Sequence, residues 1–201
     1  MTTAALLCCK RSSPRLVQCV RRATFANALD VVANRPATSR QPVTLPTRDP
    51  VDAFVAVGAN LGDAAAAVRQ ALQGLALLPR TQLTGTSSLY RSEPWQAQGP
   101  VFVNAVAKIR TELTAPDLLI ELQAAELVAG RVRSHPNAPR TLDLDLLFYG
   151  DAKVVSPQLI LPHPRWMERA FVLLPLQELA PHKVIPVMLH AVADQVIEKM
   201  A

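Results

Sequence analysis

Aspartate and leucine alternate in Leu142-Asp143-Leu144-Asp145-Leu146-Leu147, a pattern that belongs to an extended strand. Successive side chains of a strand point to opposite faces, so Asp143 and Asp145 project from one side while Leu142, Leu144 and Leu146 project from the other. Two residues of rise, roughly 6.6 Å, bring both carboxylates within reach of the same divalent cations. A half-buried edge strand with a wet polar face would account for a bare pair of alternating aspartates. It leaves unexplained Arg140, three residues before the first aspartate, and the apolar run directly after the second. The pattern points to a metal platform on a rigid strand.

The rest of the chain must supply a core for the leucine face. At 201 residues, half of them hydrophobic, there is material for one domain of ordinary size. No stretch approaches the roughly 18 uninterrupted apolar residues of a membrane span, so the expectation is a soluble protein without a membrane partner. The formal charge of +5 is unevenly placed. Residues 1–50 hold eight basic side chains against Asp30 and Asp49, a net of +6, which leaves −1 for the remainder. A near-neutral folded part does not carry the basic footprint of a nucleic-acid binder. Cys8, Cys9 and Cys19 all fall in the same N-terminal stretch, so no disulfide framework holds the core and a reducing, cytoplasmic location is expected.

Residues 1–50 are rich in Arg, Thr, Ala and Pro and poor in acidic groups, the composition of an organellar transit peptide. A secretory signal fits less well, because the short apolar run Ala4-Ala5-Leu6-Leu7 precedes the basic cluster. A start site nearer Val43 or Val51 is the third reading. The expectation is a disordered extension over 1–50, with at most a short helix around Val17 to Val31, followed by one domain over 51–201.

That domain reads as alternating elements. Ala53 to Val57 is an apolar run for a strand buried on both faces, closed by Gly58. After Gly58-Ala59-Asn60-Leu61-Gly62-Asp63, with Asp63 as N-cap, Val68, Ala71, Leu72 and Leu75 fall at the spacing of one buried helix face. The glycines lack the Gly-Lys-Ser/Thr ending of a P-loop, and a tight strand-to-helix turn explains them. Thr81 to Arg91 predicts a second strand and Val101 to Ala107 a third, with Phe102 and Asn104 on one face. Thr114 caps a helix with Leu118, Leu122 and Ala125 as its apolar stripe, while Gln123 and Glu126 sit one turn apart on a more polar face. Val154-Val155 and Leu159-Ile160-Leu161 are short apolar pieces, and Leu173 to Ala201 reads as helical cover. Together these elements predict an α+β class, an antiparallel sheet covered by helices.

Pro139-Arg140-Thr141-Leu142-Asp143-Leu144-Asp145-Leu146-Leu147 resembles the signature of the 6-hydroxymethyl-7,8-dihydropterin pyrophosphokinase family. Gly58-Ala59-Asn60-Leu61-Gly62, Gly130-Arg131-Val132-Arg133 and Pro162-His163 with Arg169 and Phe171 are similar to family segments in the same order, so the resemblance runs from Val51 to about the C-terminus. It implies a ferredoxin-like three-layer sandwich, and transfer of pyrophosphate from ATP to a pterin alcohol with two Mg²⁺ ions and no nucleophilic residue. Asp143 and Asp145 would hold the metals, and Arg131, Arg133 and Arg140 would be catalytic. ATP would meet Gln123, Glu126, Arg133, Arg140, Leu146, His163 and Arg169. The pterin would lie among Ser92, Glu93, Pro94, Trp95, Phe102, Asn104 and Phe171, with Phe102 and Phe171 stacking on its faces. The chain departs from the pattern at Pro136 and Asn137, where relatives carry a basic residue and in some cases tryptophan, and this polar loop is expected to move when substrates are absent.

Two other classes share some of these features. A nucleotidyltransferase also joins a glycine turn to a metal-binding strand, but releases pyrophosphate instead of AMP. A ferredoxin-like RNA-binding module would need exposed aromatics and a basic face, which a neutral chain with few aromatics does not offer. The expected partners are ATP and the pterin, with the chain acting as a monomer.

Overall fold

The computed structural model describes residues 48–95, 99–130 and 140–201. Expectations for the N-terminal stretch up to residue 47, for Arg131 and Arg133, and for the loop with Pro136 and Asn137 lie outside the described residues. The described part is an α+β fold. Its strands are β1 (Val51–Ala59), β2 (Thr81–Thr86), β3 (Tyr90–Ser92), β4 (Phe102–Thr111), β5 (Asp143–Tyr149), β6 (Val154–Val155), β7 (Ile160–Leu161) and β8 (Ile197–Lys199). Its α-helices are α1 (Ala64–Leu75), α2 (Ala115–Val128), α3 (Ala170–Leu179) and α4 (Pro186–Ala191).

The main sheet runs β5-β1-β4-β3-β8, with β2 also paired to β4, and its pairings are antiparallel. β1 lies between β4 and β5 and alternates between two cores. Ala53, Val55, Val57 and Ala59 pack with Val68, Leu72 and Leu75 of α1 and Leu118, Leu122 and Ala125 of α2. Phe54 and Ala56 face the opposite way, toward Val172, Leu173 and Leu176 of α3. There Phe148 meets Phe54 and Trp166 edge-on, with ring centroids 6.1 and 5.0 Å apart. In β5, Leu144 and Leu146 enter the first core and Leu147 and Phe148 the second, across a register shift opposite Phe54/Val55. The bulge therefore turns an alternating strand into one whose last residues feed both cores.

Both anticipated caps form: Asp63 accepts from Ala66 N–H at 2.9 Å and Thr114 from Asp117 N–H at 3.2 Å. Two elements differ from the sequence expectation. The single strand anticipated over Thr81 to Arg91 is two strands, interrupted where Ser87 pairs with Val106 through its own N–H and its side-chain oxygen, each at 2.9 Å. A side chain has replaced one rung of the ladder. The C-terminal stretch is not continuous helix either. Pro181 and Pro186 divide it, and Ile197–Lys199 instead adds β8 to the edge of the sheet against β3. Among the described residues no helix is long and apolar enough to cross a membrane.

Candidate active site

Strand register sets one residue beside another across the α3 face of the sheet. Asp143 pairs with Gly58, Gly58 with Asn104 and Asn104 with Tyr90, while Asp145 pairs with Ala56 in the next row. The glycine leaves a floor between the carboxylate strand and the amide strand, because a Cβ at Gly58 would lie 2.9 Å from Asn104 Oδ1. Above this floor opens a pocket of about 210 Å³. Asp143, Asp145, Arg140, His163 and Arg169 line one end. Ser92, Glu93, Trp95, Phe102, Asn104 and Phe171 line the other.

At the charged end each aspartate has an arginine. Arg140 Nη1 donates to Asp143 Oδ2, and Arg169 Nη1 donates to Asp145 Oδ2 at 3.3 Å while its guanidinium lies 5.5 Å from the Phe171 ring centroid. Burial and the neighbouring Asp143 charge push the Asp145 carboxyl above the usual range, against the opposing pull of His163, Arg169 and Arg140. His163 is shifted the other way, since burial disfavours its imidazolium more than Asp145 favours it. Its Nδ1 accepts from Arg165 N–H at 3.2 Å, which leaves the ring proton to Nε2. The His163 backbone N–H donates to Leu147 O at 3.0 Å, so the segment after the cis Leu161–Pro162 bond is fastened to β5.

At the other end Asn104 is buried, and its Nδ2 donates to Ser92 Oγ at 2.9 Å. An oriented amide, a hydroxyl and aromatic side chains around one slot suit a flat heterocycle with several donors and acceptors.

Not every anticipated residue lines this pocket. Glu126 is buried beneath β5, with Oε1 accepting from Leu144 N–H at 2.7 Å, between the two aspartates. Leu146 lies in the first core, Gln123 is exposed on α2, and Pro94 lines a smaller adjoining pocket of about 150 Å³. Three contributors were not named individually as site residues from sequence, although Gly58 and Asn60 belong to the Gly58–Gly62 turn whose family counterpart the resemblance places beside the pterin. Gly58 forms the floor and Arg165 the rim. Buried Asn60 accepts from Arg140 N–H at 2.8 Å, donates its own N–H to Arg140 O at 3.1 Å, and reaches Pro100 O through Nδ2 at 3.3 Å. Its place in a glycine-flanked turn was the available signal, but an asparagine in a turn most often bonds only its own loop.

The family model for 7,8-dihydro-6-hydroxymethylpterin-pyrophosphokinase matches residues 54–181. The chain belongs to this pyrophosphokinase family. The 2-amino-4-hydroxy-6-hydroxymethyldihydropteridine pyrophosphokinase of Pseudomonas aeruginosa is 46% identical over 134 residues, covering 66% of this chain and 83% of the relative. The protein of that name from Haemophilus influenzae is 43% identical over 137 residues, covering 68% and 86%. A folic acid synthesis protein of Pneumocystis carinii is 39% identical over 135 residues, 67% of this chain and 18% of that larger protein. The pyrophosphokinase match takes in both ends of the pocket, from β1 through α3. It stops before β8.

Proposed function

We infer that this protein transfers pyrophosphate from ATP to 6-hydroxymethyl-7,8-dihydropterin in folate biosynthesis, releasing AMP. The observation that carries the reading is one pocket with paired carboxylates at one end and an aromatic, amide-lined slot at the other. The pterin ring occupies the slot, with Phe102 and Phe171 on its faces and Asn104, Ser92, Glu93, Pro94 and Trp95 around its edge. Its hydroxymethyl group then points toward Asp143 and Asp145, where the triphosphate lies.

The carboxylates fit Mg²⁺. They offer hard oxygens from one strand face, and Mg²⁺ takes only one or two protein carboxylates, leaving phosphates and water to complete its shell. Burial first, and the Asp143 charge second, disfavour the Asp145 carboxylate, and a cation between the two acids would offset both. Two ions bound there supply charge neutralisation and acidification of the alcohol. Arg140, His163 and Arg169 orient the phosphates; the family resemblance assigns Arg131 and Arg133 to the same phosphates and Gln123 and Leu146 to the nucleotide, while Glu126 acts from beneath β5 by holding Leu144 N–H. The alcohol oxygen forms a bond to the β-phosphorus as the bond from that phosphorus to the α-phosphate oxygen breaks. The alcohol proton passes to solvent. Positioning and electrostatics do the catalysis, and no side-chain nucleophile takes part.

We read the strand order β5-β1-β4-β2, with helices packed on both faces, as a ferredoxin-like three-layer sandwich spanning residues 51–201. The protein acts as a cytoplasmic monomer on small molecules, with no nucleic acid. The test is an assay with ATP, Mg²⁺ and the pterin that reads AMP and pyrophosphate separately, on the wild type and on Asp145→Ala. Pterin-dependent AMP that collapses in the variant supports the reading. Release of pyrophosphate with another acceptor would replace it with nucleotidyl transfer.

A further inference from the structure

Helix α3 starts on a residue that cannot cap it. The first N–H groups of a helix are ordinarily accepted by a Ser, Thr, Asp or Asn at the N-cap. Here that position is Arg169, whose carbonyl accepts from Val172 and Leu173 N–H at 3.0 Å but whose side chain makes no cap hydrogen bond and is committed to Asp145 and Phe171. The cap comes from elsewhere: Gln195 Oε1 accepts from Ala170 N–H at 2.9 Å, and Gln195 Nε2 donates to Glu168 O at 2.8 Å. The two backbone groups flank Arg169, so one side-chain amide fixes the chain on both sides of it. The amide supplies both the donor and the acceptor this requires; a carboxylate would face the Glu168 carbonyl with a second acceptor.

The residues after Gln195 hold the opposite wall. Val196 O accepts from Glu93 N–H at 3.1 Å, and Ile197 pairs with Ser92 in the sheet. Three consecutive residues thus join the Arg169 side of the pocket to the Ser92–Glu93 side. All three lie beyond residue 181, where the family match ends.

We propose that Gln195 is a positioning residue for phosphate transfer, acting through Arg169 by capping α3 in place of the arginine. The proposal rests on the pyrophosphokinase reading for what Arg169 contacts. Gln195 is half-buried and makes neutral hydrogen bonds, so its effect should exceed its part in stability.

The experiment uses the full chain as wild type, Gln195→Leu, Gln195→Glu, Arg169→Ala and the double variant Gln195→Leu/Arg169→Ala. It reads kcat, the KM for each substrate, the thermal midpoint, and the Kd for α,β-methylene-ATP with Mg²⁺. Gln195→Leu should lower kcat about tenfold and raise the analogue Kd several-fold, with the pterin KM within about twofold. Gln195→Glu, which keeps the acceptor for Ala170 N–H, should recover part of the loss, and it carries the test if the leucine variant does not fold. In the Arg169→Ala background Gln195→Leu should change neither kcat nor Kd further. Wild-type values in Gln195→Leu, or the same fold-loss in both backgrounds, would overturn the proposal. A wild type that makes no AMP would defeat the activity reading alone, and analogue binding across the same variants would still decide the role of Gln195.

Discussion

Asn60 and Arg140, eighty residues apart, are joined by two hydrogen bonds of opposite sense, N–H to carbonyl one way and N–H to side-chain oxygen the other. The turn after β1 thereby fixes the backbone from which Arg140 reaches Asp143. Asn60→Ala leaves the Arg140 N–H without its acceptor in a half-buried setting, a loss of about 1–3 kcal/mol. Urea denaturation should show it, and the KM for ATP should rise with it. Asn60→Asp keeps the acceptor and should retain most of the stability.

Gly58 and Asn104 set the depth of the slot. A methyl group at Gly58 would push on Asn104 Oδ1, and the amide has little room because its other end is bonded to Ser92. Gly58→Ala should therefore raise the pterin KM about tenfold while leaving the ATP KM within about twofold, as measured by steady-state kinetics with each substrate varied. Equal changes in both constants would argue for a general distortion of the sheet.

Buried Glu126 holds Leu144 N–H, and so the strand between the two aspartates. Glu126→Ala should cost about 1–3 kcal/mol and lower the activity together with the stability. Glu126→Gln preserves an acceptor at the same reach and should fold nearly as well as the wild type. Chemical denaturation of the two variants side by side makes the comparison.

A pH dependence should arise away from the pocket, where Glu178 of α3 meets β3 and β8. It accepts from Ser88 N–H, Tyr90 Oη and Lys199 Nζ at 2.7–2.8 Å. Partial burial alone would raise its pKa, but hydrogen bonds from Lys199, Ser88 and Tyr90 outweigh this and hold it down at about 2. A depressed acid stabilises the fold fully above its unfolded value and loses that contribution as pH falls toward the folded one. Between about pH 4.5 and 2 the wild type should lose about 1–2 kcal/mol that Glu178→Gln does not, after allowance for partial exposure. Burial, then the hydrogen bond and charge of Glu178, push Tyr90 up to about 12. Its contribution is present below pH 10 and fades as pH rises toward 12, so ultraviolet titration should show late ionisation in the wild type and earlier ionisation in Glu178→Gln, with Tyr90→Phe identifying the signal.

The strand carrying Asp143 and Asp145, the caps at Asp63 and Thr114, and the apolar stripes of α1 and α2 were legible because each depends on residues a few positions apart. The slot was legible only through alternation: Phe102 and Asn104 share a face whatever their neighbours are. The missed features are set by partners distant in sequence. Ser87 breaks a strand because Val106 is opposite it, β8 is a strand because β3 offers an edge, and Gln195 caps a helix that begins 25 residues earlier. No window around these residues contains the group that gives them their role.

The pairing of arginines with aspartates has an electrical consequence. Among the described residues lining the main pocket, three guanidinium groups face three carboxyl groups, so the cleft presents dipoles and little net field. A polyanion approaching alone gains little long-range attraction from these residues, and neither does a lone cation. On the proposed reading, nucleotide and metal arriving as a pre-formed complex would lose the least on entry, because an arginine released from its aspartate would find a phosphate oxygen as the aspartate found the metal. For these residues capture is an exchange of ion partners at contact, a short-range step in which long-range attraction has little part.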